Sequence, residues 1–187
     1  MKKVLSFVLL SFVATITYAQ STWNVDKAHS QVSFGITHMG ISEIEGLFRD
    51  FDATIVASEE DFSDAVFNVS IDISSVDTGI EMRDNHLRTS DFFDVEKYPT
   101  MTFKSSKIEK VAENKYKITG DLSFHGVTKP VTLDVWYRGS VKNEKGIVSG
   151  FQITGSINRK DFNIANETPE VALSNEVKIK VDAEFKK

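Results

Sequence analysis

The chain has 187 residues, with 22 lysines and arginines against 27 aspartates and glutamates, a formal net charge of −5 and no cysteine. An acidic balance without a long basic run excludes nucleic acid and an anionic membrane as the main partner. The lack of cysteine excludes disulfides, thiol chemistry and Cys-ligated metals, so stability must come from sheet and core.

In chain order, residues 1–19 come first and read as a signal peptide. Lys2 and Lys3 precede an apolar stretch from Val4 to about Ile16, and Thr17-Tyr18-Ala19 places cleavage after Ala19. The stretch is shorter than a spanning helix needs, and no later segment is apolar enough, so no integral membrane span is expected. Residues 20–187 then form one exported domain.

From Trp23 onward apolar and polar residues alternate with the period of a strand. Val32, Phe34, Ile36 and His38 share one face of the first long strand, so His38 ends an apolar row. A second run, 45–56, puts Leu47, Phe51, Ala53 and Ile55 in register. A third sets Ala65, Phe67, Val69, Ile71 and Ile73 against Val66, Asn68, Ser70 and Asp72. Residues 80–90 suit a short helix, with Asp77 or Thr78 as its cap. Strands follow over 100–106, 115–125, 131–140, 147–158 and 176–185, which makes about eight in all. Pro99 and Pro130 stand at strand starts, and Pro169 falls in the loop before the last strand.

Eight antiparallel strands predict a closed, lipocalin-like all-β barrel, and at that size the interior either fills with side chains or encloses one small ligand. Fourteen phenylalanines supply apolar walls. The helix and the loops 39–44 and 159–175 lie at strand ends, where they cap an opening. Periodicity alone does not separate a cavity from a filled core.

Chemistry of other kinds finds little footing. Asp26, His29 and Ser30 have the residue types of a hydrolytic triad but lie within five residues of one another, which fits a turn tie. The four histidines, at 29, 38, 86 and 125, show no His-x-x-x-His spacing, so no metal site is expected. Glycine-rich nucleotide loops are absent. No catalytic residues, no enzyme and no cofactor are expected.

Five separated stretches together resemble the YceI-like family of exported lipid-binding proteins. They are Trp23-Asn24-Val25-Asp26 with His29-Ser30, Phe34, His38 and Gly46-Leu47-Phe48; Arg83-Asp84-Asn85-His86-Leu87 with Asp91-Phe92-Phe93-Asp94 and Tyr98-Pro99; Gly120 to Val131; Arg159-Lys160-Asp161-Phe162; and the closing alternating strand. One departure is Asn163, where the family usually has glycine. Asparagine also tolerates a left-handed backbone, so the turn can survive.

The resemblance implies a lipocalin-like antiparallel barrel, exported to the periplasm, that holds a polyisoprenoid or isoprenoid quinone in its interior, in a family linked to stress responses. By alternation the wall candidates are Phe34, Ile36, Phe51, Phe67, Val69, Ile71, Phe103, Ile118, Leu122, Leu133, Val135, Ile153 and Ile179. His38 is the first candidate for the ligand's head group, and Arg83, Asp84, His86 and Arg159 are candidates for a polar mouth. The competing reading is a structural or interaction barrel with a filled core. Trp136 and Phe48, out of register with the interior rows, are candidates for a dimer face, and the sequence leans towards a homodimer.

Overall fold

A computed structural model describes residues 20–187. The signal expected at 1–19 lies outside the described residues. The strands are β1 (Ser21–Val25), β2 (Gln31–His38), β3 (Ser42–Phe48), β4 (Phe51–Ala57), β5 (Val66–Asp72), β6 (Val76–Asp77), β7 (Thr100–Ala112), β8 (Lys115–Phe124), β9 (Val127–Asn143), β10 (Gly146–Asn158) and β11 (Leu173–Lys186). The single α-helix among the described residues, α1, spans Glu81–Arg88.

All pairings are antiparallel, and the ring closes through β1-β4-β5-β7-β8-β9-β10-β11 and back to β1. β11 also pairs with β2, β2 with β3, and β3 with β6. Three wall strands are therefore each broken in two: β1 continues as β2, β3 as β4, and β5 as β6. With β7 to β11 they make the eight long strands of a closed barrel.

Short aspartate-capped turns make two of the breaks. Asp26 accepts the Ala28 amide and Asp72 the Ser74 amide, each opening a 3₁₀ turn in mid-wall. The third break, at Arg49–Asp50, changes the parity of the alternation. Phe51 and Phe48 both point inward, with Phe48 opposite Val32, whereas Leu47 stands opposite Ser33 on the outer face. One extra residue reverses which side chains face the core. This corrects the sequence reading, which put Leu47 inside and Phe48 outside. Of the two residues expected at a dimer face only Trp136 is exterior, and the Arg138 guanidinium stacks over it at 4.4 Å.

Among the described residues β6 has no second strand beside it, and residues 78–99 cover that gap. Leu87, Phe92, Phe93 and Val95 turn into the core. Arg88 donates to the carbonyls of Ser74 and Val76, so backbone acceptors on this free edge find a partner. Asp77 and Thr78 do not cap α1, whose N-cap Ile80 makes no side-chain bond. Asp77 instead accepts the Gly79 amide and pairs with Arg49.

One end of the barrel is packed solid with aromatic rings. Phe62 lies 5.0 Å from both Tyr137 and Phe151 and 5.2 Å from Trp23, and Phe151 contacts Phe67 and Phe185. Phe62 itself has a left-handed backbone, which folds the 58–64 loop inward beneath the strands. Tyr116 donates from this floor to the Asp61 carbonyl.

Outside, Asp26 is held by His29 at 2.7 Å and by the Lys186 ammonium. Lys186 first, then His29, pushes the Asp26 carboxyl down to about 2 from the usual 3.8. The stability it contributes is full above pH 3.8 and is lost as pH falls through about 2. Asp26 in turn raises His29 above 6.5, so that contribution is full below pH 6.5 and fades as pH rises through the raised value. Asp26→Asn is therefore expected to flatten both limbs in urea midpoints measured across pH. A smaller acid limb should persist from Asp61, held at about 2 by Lys110. An unchanged pH profile would remove Asp26 as the cause.

Candidate functional site: an apolar cavity under the helix

Above the aromatic floor the barrel encloses a cavity of about 570 Å³. Eight strands leave room for it because inward side chains at this level are spread around the whole ring. Phe34, Ile36 and His38 enter from β2, Phe51 from β4, and Phe67, Val69 and Ile71 from β5. Phe103 enters from β7, Ile118 and Leu122 from β8, Leu133 from β9, Ile153 from β10 and Ile179 from β11. Leu87, Phe92 and Phe93 close it from the helical segment.

Inward glycines shape the wall. A Cβ on Gly46 would lie 2.3 Å from the Phe34 ring, and one on Gly155 would lie 2.5 Å from Leu133. Each neighbouring side chain thus folds onto the bare backbone instead of projecting across the barrel.

Val135 does not line the cavity. It is buried beside its cross-strand partners Tyr116 and Ile153, next to the aromatic floor. Alternation fixes which way a residue faces but not whether its side chain reaches the cavity or is covered by its neighbours. Sequence reasoning also passed over Ile44, Phe124, Val131, Ile157 and Ile164, which join the lining from strand ends and from the last loop.

The polar groups divide by role. Asp84 is buried and is not in the lining. Its carboxylate accepts the Thr78 amide at 2.8 Å and the Thr78 hydroxyl, fastening α1 to the end of β6. Arg83 does line the cavity, and it donates Nε to the Thr78 hydroxyl and Nη2 to the Thr78 carbonyl, leaving Nη1. His86 lines the cavity, meets Asp91 at 3.1 Å and stands edge-on to Phe92. His38 lies at the exposed rim, with no hydrogen bond from its ring among the described residues.

Arg159 is 1% exposed and also borders the cavity. Its guanidinium donates to five backbone carbonyls, those of Ser174, Ile164, Ala165, Thr168 and Leu173. Burial lowers its pKa, and it has no carboxylate partner among the described residues. It is a clamp that ties the 163–172 loop to the start of β11. Asn163 takes the left-handed conformation expected of it at the start of that loop. His125, in a tight turn with Gly126, is bonded through Nδ1 to the Phe162 carbonyl and joins the β8–β9 hairpin to the same region.

No aspartate or glutamate lines the cavity among the described residues, whereas two arginines and two histidines do. Asp26, His29 and Glu184 bring ligand-type atoms within 4.8 Å of one another outside the barrel, but the Lys186 ammonium already sits on Asp26. That arrangement is an ion-pair tie between β11 and the first turn. No helix among the described residues is long and apolar enough to cross a membrane.

The protein YceI of Salmonella arizonae is 38% identical over 185 residues, covering 97% of this chain and 96% of its own. The crystal structure of BcnA from Burkholderia cenocepacia superposes with a TM-score of 0.76 at 29% identity, covering 86% of this chain and 98% of its own. A polyisoprenoid binding domain from Saccharophagus degradans, implicated in plant cell wall breakdown, shares the fold with a TM-score of 0.62 at 16% identity, covering 88% and 97%. The family model for the YceI-like domain matches residues 23–185, and the chain belongs to that family.

Proposed function

We propose that the protein is a carrier, not a catalyst, which holds a polyisoprenoid or isoprenoid-quinone-type lipid inside the barrel and works in the periplasm. The observation that carries this reading is the enclosed apolar cavity of about 570 Å³ above a closed aromatic floor. Its volume is typical of small-molecule sites, which run to roughly 300–1,000 Å³. Burying an isoprenoid tail there recovers about 0.8 kcal/mol per methylene-sized group, so affinity needs no charged partner. The Saccharophagus domain of the same fold is named for polyisoprenoid binding, which agrees with this class of ligand.

The polar lining suits a head group that accepts hydrogen bonds, such as the carbonyl oxygens of a quinone. Arg83 and His38 have donors to offer, and no lining carboxylate competes for them among the described residues. Mass spectrometry of an organic extract of the protein, purified without detergent, is expected to find one isoprenoid lipid near stoichiometry. Its absence, repeated after incubation with a total lipid extract, would shift the reading to a structural or interaction barrel.

His38→Phe is expected to keep the apolar loading while losing preference for a quinone over an isoprenoid hydrocarbon in competitive loading. An unchanged preference would remove His38 from head-group contact.

A further inference from the structure

Among the described residues, large apolar side chains exposed to solvent are few, and they are unevenly placed. Met39, Ile41, Ile80, Met82 and Val171, between 50% and 88% exposed, all belong to the three segments that border the cavity mouth. Met39 and Ile41 form the β2–β3 turn between lining residues His38 and Ile44. Val171 lies two residues before lining residue Leu173. Ile80 and Met82 flank α1's entry between Thr78 and Arg83, both in the lining. The remaining exposed apolar residues, Val111, Trp136 and Val141, stand towards the opposite end or on the outer wall.

The rim is built, not frayed. The Met39 amide donates to the Ala172 carbonyl at 3.0 Å, which joins two of its segments. Met39 and Gly40 both have left-handed backbones, with φ of 54° and 69°. Such a hairpin turn ordinarily takes asparagine before the glycine, so a strained methionine facing water breaks both the turn rule and the surface rule. Places where a chain breaks local rules are commonly functional.

We propose that this rim inserts shallowly into a neutral or zwitterionic lipid bilayer, so that the cavity mouth opens onto the acyl region from which its cargo is drawn. The proposal rests on the lipid-carrier reading above. The rim is continuous with the apolar cavity lining, so a bilayer surface covers both at once and spares the ligand a passage through water. Charge sets the lipid class. Within residues 38–44, 78–83 and 163–173 the rim carries Glu43, Glu81, Glu167 and Glu170 against Arg83, Lys178 pairs with Glu43, and the nearby Arg88 and Arg159 are engaged by backbone carbonyls. Nothing there resembles the polybasic cluster that an anionic surface attracts.

Flotation with phosphatidylcholine vesicles tests this. The protein is expected to float with them, and no better with vesicles containing phosphatidylglycerol. The combined Ile41→Asp, Met82→Asp and Val171→Asp variant is expected to lower the bound fraction about tenfold or more, and Ile41→Asp alone by less. Val111→Asp and Val141→Asp, at the far end, are expected to float like the unaltered protein. Equal flotation of the triple variant, or none by the unaltered protein, overturns the proposal. So does a rim-dependent dimer in sedimentation without vesicle binding, since a second copy is then the partner. Extraction of bound lipid from the same samples separates the two readings. Lipid in the barrel without flotation sinks only the docking, whereas rim-dependent flotation of an empty barrel sinks only the carrier.

Discussion

Arg159→Leu is expected to destabilise the barrel by about 3 kcal/mol and to abolish lipid loading. Two effects oppose each other. Removing a buried cation without a carboxylate partner relieves its desolvation cost, which can make such replacements neutral or favourable. Here, however, the guanidinium is the donor to five carbonyls, three in the 163–172 loop and two at the start of β11. Each carbonyl left unmatched in a buried setting costs about 1–3 kcal/mol, so the orphaned acceptors outweigh the relief. Ile164 in that loop and Leu173 at the start of β11 line the cavity, so their release opens the wall. Arg159→Lys should fall between, because an ammonium has fewer donors and no planar fork. Chemical denaturation together with extraction of bound lipid measures both effects. A loss below about 0.5 kcal/mol, the range of ordinary surface substitutions, would show that the loop is held by other contacts.

Tryptophan at two inward positions should have opposite consequences. Ile36 is half-buried on the mouth side of the cavity, so Ile36→Trp has empty space to enter and is expected to exclude lipid with a small change in stability. Val135 is 2% exposed in the packed floor, where Val135→Trp meets Tyr116 and is expected to cost about 1–3 kcal/mol or more through overpacking. Thermal denaturation and extracted lipid separate the cases. Retained lipid in Ile36→Trp would move the binding channel away from β2, and a stable Val135→Trp would mean that the floor is loosely packed.

The strand architecture was legible because one buried face imposes alternation on every wall strand, most cleanly in β11. The breaks were not. Asp26, with His29, reads as a turn tie but not as a break within a wall strand, Asp72 looks like an ordinary outward polar residue, and the capping role of both depends on local backbone that alternation does not encode. The parity change at Arg49–Asp50 followed from the same blindness, which is why Phe48 was placed outside. For the site, facing was readable and side-chain cover was not, so Val135, which faces inward beside Ile153 but is covered, was grouped with the lining. Arg83 and Asp84 are adjacent and both polar, yet one borders the cavity and the other fastens a loop. Only the packing of α1 against β6 separates them. Arg159 stood out as part of a motif, but three of its carbonyl partners come from a loop without periodicity.

The closing strand has a consequence for how the chain reaches this state. β11 bonds to β10 along one edge and to both β2 and β1 along the other, so residues near the two ends of the chain must meet before the wall is continuous. Such distant pairing makes folding slow, on the order of milliseconds to seconds. Until the C-terminal segment is in place, β10 and β2 are open edges able to pair with other chains. The nascent polypeptide therefore has an aggregation-prone interval that ends only with its final strand, and truncations there should yield inclusion bodies rather than a weaker barrel.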